Sequence, residues 1–241
     1  KINAMRRMLA AGLALLAVAP AVLAGPFVTS LGKAATPTQY VITFKTIEFR
    51  RSDGSYFTFF SGSQTMDIGS AAVAAGGVGG SVGSGQSLPA GRYDAIRVTF
   101  SRDFSITASA TSVGTGNANC GTGSSAADVS LGGYTVQVVN RSGGAVTTTS
   151  DTLSVPPEAN TTINGQPGMA VVGAANDIQV TNVISAFTVL ATDTVPPAFT
   201  VQFDVTGGVE FLNDGTCYAI FLPPTVTYIT PSGTTTYAGG L

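Results

Sequence analysis

The sequence predicts an all-β protein: an antiparallel β-sandwich of the transthyretin or immunoglobulin-like kind, preceded by an N-terminal signal-like helix. Three observations predict it. Apolar and polar residues alternate at the period of a strand, as in "AFTVQFDV", where Phe199, Val201, Phe203 and Val205 take one side and Thr200, Gln202 and Asp204 the other. Turn residues recur between such runs: Asp53-Gly54, Pro89 with Gly91, and Asn213-Asp214-Gly215. Beyond the N-terminal region no stretch sustains helical periodicity. About ten to twelve short strands separated by turns is the pattern of a sandwich.

The first element is the signal-like segment. Residues 1–4 are read as lying upstream of a start at Met5. Arg6 and Arg7, the apolar run Met8 to Val18, and the small-residue site Val22-Leu23-Ala24 form a secretory signal over residues 1–24. A retained pilin-type helix is the rival reading. The run is short for a span, which needs about 20 apolar residues, and it contains Gly12 and Pro20. No other stretch is apolar enough to cross a bilayer, so no membrane span is expected after cleavage.

Residues 25–39, "GPFVTSLGKAATPTQ", read as an extended segment, because Pro26 and Pro37 disfavour helix. Phe27, Val28 and Leu31 are candidate apolar anchors for strand addition to the open sheet edge of a neighbouring subunit. A loose terminus, or an edge strand within the same subunit, are the competing readings. The sandwich domain is placed at 40–241.

The domain opens on "YVITFKTIEFR" (40–50), where Ile42 and Phe44 share one parity while Ile47 and Phe49 share the other. A regular strand cannot send both pairs to one side, so either a bulge lies near Lys45 or both faces are buried. "YFTFF" (56–60) returns after the Asp53-Gly54 turn, and "TMDI" (65–68) follows. Residues 69–87, rich in Gly, Ala and Ser, read as a flexible loop. "SLPAGRYDAIRVTFSRDF" (87–104) is a turn and a half-buried strand, with Ile96, Val98 and Phe100 alternating against Arg97 and Thr99. "FSITASA" extends the β pattern, and 112–127 reads as a loop holding Cys120. Further strands are expected at 134–139, 145–155, 169–172, 178–195, 198–205 and 216–222, with a last one at 225–230.

These residues resemble a known family. "YVITFKTIEFRRSDGSYFTFF…MDI", "LPAGRYDAIRVTF", "AFTVQFDV" and "CYAIFLPPTVTYI" are similar to segments of the secreted prokaryotic family called domain of unknown function 4382. The resemblance implies a transthyretin-type β-sandwich on a bacterial or archaeal surface, and it implies no activity. The family's Val-Pro-Ser-Gly segment is missing from this chain.

Composition narrows function. Only 10% of residues are charged, against about 25% in an ordinary globular domain. The portion after Ala24 carries 8 basic and 13 acidic residues and no basic tract, which argues against nucleic acid, where clustered Lys and Arg must displace counterions. The sequence contains no His, which removes the Ser-His-Asp triad, the Cys-His pair and imidazole metal sites. The two cysteines, Cys120 and Cys217, are expected to form a disulfide in an exported protein. No catalytic residue, cofactor site or metal site is therefore assigned, and the chain is read as a non-enzyme.

The weaker candidates are these. Glu48, Asp151, Glu158, Asp204 and Glu210 are the acids from which a carboxylate hydrolase would draw its pair. Asp177 and Asp214 sit in loops that calcium could use, although Asx turns account for both. Tyr134, Tyr218, Tyr228 and Tyr237 could line a glycan-binding face, although Tyr is an ordinary strand residue. Arg92, Arg97 and Arg102 read as the wet side of a strand, paired locally to Asp94 or Asp103. The leading expectation is a non-catalytic cell-surface, matrix or filament subunit that self-associates outside the cell. A carbohydrate- or ligand-binding module is the alternative.

Overall fold

A computed structural model describes residues 32–69, 87–123, 128–131, 134–146, 148, 151–154, 169–172, 175, 177–193 and 198–238. The proposed signal, Phe27, Val28, Leu31, Glu158 and most of the 69–87 loop lie outside them. The described residues are all-β, and every strand pairing is antiparallel. In chain order the strands are β1 (Gly32–Ala35), β2 (Gln39–Arg51), β3 (Tyr56–Asp67), β4 (Gly91–Phe100), β5 (Asp103–Thr107), β6 (Ser109–Val113), β7 (Ala118–Gly121), β8 (Asp128–Leu131) and β9 (Tyr134–Ser142). They continue as β10 (Asp151–Ser154), β11 (Met169–Val172), β12 (Asp177–Val189), β13 (Thr200–Asp204), β14 (Val209–Asn213), β15 (Cys217–Phe221), β16 (Thr225–Thr230) and β17 (Gly233–Tyr237).

Three sheets result. The long one has the order β10-β5-β2-β4-β12-β11, with β3 also on β2. The second runs β1-β14-β15-β9-β7-β6, with β8 on β9, and the third is the small sheet β13-β16-β17. The second and third sheets cover successive parts of one face of the long sheet. Along β4, Phe100 packs into the core shared with the second sheet, Ile96 into the core against the small sheet, and Val98 touches both. The same succession runs along β12, from Ile178 to Ile184.

The conflicting parities in β2 have a structural cause. The pairings of β2 with β3 and with β4 both shift register between Phe44 and Thr46, so a bulge sits at Lys45. Tyr40, Ile42 and Phe44 enter the first core before it, and Phe49 enters the second core after it. One extra residue thus keeps a thirteen-residue strand buried on a single face. Phe49 then meets Phe59, Tyr93, Phe187 and Phe199 at ring-centroid distances of 4.9–6.4 Å, all edge-on.

Several expectations need correction. Strand structure among the described residues precedes Tyr40: Gly32–Ala35 forms β1, paired to β14 of the same chain, which is the edge-strand reading of 25–39. Cys120 lies in β7, because the hairpin β6–β7 turns at Gly114–Asn117 and not over the whole of 112–127. Of the strand expected at 145–155, the described residues show β10 (Asp151–Ser154), while Ala145, Val146 and Thr148 lie outside any strand. β12 stops at Val189, where Asp193 Oδ2 accepts the Leu190 N–H at 2.8 Å and closes a turn. The strand at 225–230 is not the last: Gly233–Tyr237 returns beside it, with Thr227 and Thr236 hydroxyls 3.0 Å apart.

Candidate functional site

The second sheet curls until its edges meet. Lys33 on β1 donates from Nζ to the Thr111 carbonyl on β6 at 2.5 Å, and Asn213 on β14 donates from Nδ2 to the Val113 carbonyl at 2.9 Å. Small side chains allow this tight curl: Ala35, Ala110, Val113, Ala118, Val139, Val209 and Ala219 line the inner face. Inside it Cys120 on β7 and Cys217 on β15 form a disulfide, with Cα atoms 5.8 Å apart and both residues fully buried. Both strands pair with β9, where Cys217 lies opposite Val139 and Cys120 opposite Arg141.

Asn213 holds the seam of this sheet. Its Nδ2 also donates to the Thr115 carbonyl at 3.1 Å, while its Oδ1 accepts from the Gly215 N–H and from Arg141 Nε. One buried amide thereby joins the β6–β7 turn, the β14–β15 turn and β9. Gly114, at φ 57°, packs against the Asn213 backbone so closely that a Cβ there would overlap it.

The other concentration of polar chemistry is the solvent side of the long sheet. Arg97 donates to both carboxylate oxygens of Glu48, from Nε at 2.7 Å and from Nη2 at 2.9 Å. Its guanidinium lies 3.7 Å from the centre of the Tyr56 ring. Beside this pair, Arg50 donates from Nε to Asp94 at 2.8 Å. Hydrogen bonding to their carboxylates raises both guanidinium pKa values further, so both arginines are cations at every working pH. The partners differ from those expected. Arg97 pairs across strands to Glu48 and not to Asp94 or Asp103, since its register neighbour on β2 is Glu48. Arg92 is exposed, and Arg102 has Nη1 buried without a hydrogen-bond partner, so the three arginines do not converge.

The remaining candidates separate. Asp204 caps its own turn, where hydrogen bonds from the Thr206 hydroxyl and then from its N–H lower the carboxyl pKa, and Asp214 accepts the Thr216 N–H. Asp177 opens β12. Asp151 opens β10, in register with Ile106. Among the described residues no group of three or more acids or cysteines could hold a metal ion. Tyr228 is buried, and its hydroxyl accepts from Asn182 Nδ2 at 2.7 Å. Burial pushes that phenol up to about 12. Tyr237 stands edge-on to Tyr228 at 6.1 Å and donates to the Val183 carbonyl. Tyr228 is a core residue and Tyr237 packs half-buried against it, while Tyr218 is half-buried on β15 and Tyr134 opens β9.

Sequence reasoning passed over Asn213, Tyr56 and the pairing of Glu48 with Arg97. Their signal is tertiary: Glu48 and Arg97 are 49 residues apart, and only the strand register brings them together. Glu210 was singled out as an acid, yet no spacing marks it as buried. It faces away from Phe211 on β14, is 9% exposed, and has its pKa raised by desolvation. No helix among the described residues is long and apolar enough to cross a membrane. No protein-family model, curated protein or solved structure matches this chain.

Proposed function

We propose that this chain is a non-catalytic structural subunit of an extracellular surface, matrix or filament. The observation that supports the reading is how its reactive groups are used. Both cysteines are spent in one buried disulfide, the sequence has no His, and the two ion pairs of the long sheet satisfy each other across strands. Such pairs tie a sheet together by neutralising each other across strands. A buried disulfide belongs to an oxidising compartment. The resemblance to domain of unknown function 4382 points to the same compartment.

The test is fractionation of producing cells with thiol trapping, followed by light scattering of the purified protein across concentration. The expected result is oxidised protein outside the cell that forms large species as concentration rises. Reduced cytosolic protein, or a monomer at every concentration, would count against the reading. A glycan- or ligand-binding module is the second reading, favoured by the Tyr56–Arg97 stack on the open face of the long sheet. Retention on a glycan array that is lost in Tyr56→Ala would promote it over the first.

A further inference from the structure

The seam of the curled sheet is closed by a strand that is weakly held. β1 is four residues long and sits at the N-terminal end of the described fold. It pairs to β14 in the register Gly32↔Leu212 to Ala35↔Val209. On its other side lies β6, which carries a register shift between Ala110 and Val113 and has Ser112 at φ 57°. That irregularity denies β1 a second ladder, and the Lys33–Thr111 hydrogen bond stands in its place. The seat itself is well built. All five residues of β14 are buried, as are Ala110 and Val113 of β6, yet of β1 only Ala35 is buried.

The hinge suits release. Thr36, Pro37 and Thr38 alone separate β1 from β2, and short hinges are where strands exchange between copies. Pro37 biases Thr36 towards extended backbone. Without β1 the β14 edge would present unpaired backbone groups above an apolar floor, and sheet edges of that kind are covered or used.

We propose that β1 is an exchangeable strand: in the assembled protein Gly32–Ala35 of one copy occupies the seat between β14 and β6 of the next. This rests on the reading of the chain as a self-assembling subunit and names the contact. When each copy passes its strand to the next copy and not back to the one it received from, the interface is heterologous and repeats head to tail. Residues 32–35 are small or flexible at every position, so no side chain has to be forced into the acceptor.

The experiment mixes two full-length variants, one carrying Ala34→Cys and the other Glu210→Cys. These positions are directly opposite in the ladder. After assembly and mild oxidation, mass analysis should find the 34–210 linked peptide, which can form only between chains. Assemblies without that link overturn the exchange and leave the subunit reading standing, whereas absence of any assembly from the unmodified chain overturns both. A second variant guards against misfolding of either cysteine chain. K33P/A34P removes the two central backbone N–H groups of β1 and puts adjacent prolines in the strand, so it can accept a strand but not give one. Added to the unmodified chain it should terminate assemblies and shorten them severalfold, and unchanged lengths would overturn the proposal.

Discussion

Two buried polar side chains on β14 act in opposite senses. Glu210 is desolvated with its pKa raised, and no hydrogen bond or ion pair to it is found among the described residues. A carboxyl whose folded pKa is raised stabilises the fold fully below its unfolded pKa. That contribution is lost as pH rises through the folded value, so at neutral pH the ionised group opposes folding. Glu210→Gln should therefore gain about 1 kcal/mol at pH 7, as expected for relieving a buried unpaired charge. The gain should vanish below the ordinary carboxylate range, as read from urea midpoints across pH. Asn213 is the converse, since its amide is fully satisfied by Val113, Thr115, Gly215 and Arg141. Asn213→Ala orphans these partners in a buried seam and should cost roughly 3 kcal/mol in the same assay.

At the scale of elements, the polar face of the long sheet is a cross-strand device. The Glu48–Arg97 pair is bidentate and partly shielded, with side chains 15% and 27% exposed. A double-mutant cycle, Glu48→Ala against Arg97→Ala, should give a coupling of about 1 kcal/mol that shrinks in high salt. How much of this was legible follows from range. β13 was readable because its alternation is local: Val201 and Phe203 pack inward, while Thr200, Gln202 and Asp204 stay exposed. The bulge at Lys45 was readable as a parity conflict within one strand. β7 was not, because "NANCGTG" has the composition of a loop, and only pairing to β6 and β9 makes it a strand. β1 was only one of several readings of 25–39, because "GKAA" has no alternation and its place is set by β14. The Asn213 seam could not be read at all, since Val113, Thr115 and Arg141 lie 100, 98 and 72 residues away.

For the whole molecule, the disulfide sets the reference state. It joins positions 97 residues apart. In the chain-entropy description a loop of that length contributes about 4 kcal/mol by restricting the unfolded chain. Cys120→Ser with Cys217→Ser should lower the urea midpoint accordingly. It should leave the aromatic core around Phe49 in place, since that core packs on the small sheet and away from β7 and β15. A loss of stability well below this would mean that the curled sheet is held by its own packing.

In the proposed function these sheets form a building unit and not a catalyst or a free ligand trap. The most direct measurement is electron microscopy of material shed from producing cells, labelled with an antibody to the described domain. Label along ordered filaments or sheets is the expected result. Label confined to dispersed particles of monomer size, in cells that export the protein abundantly, would contradict it.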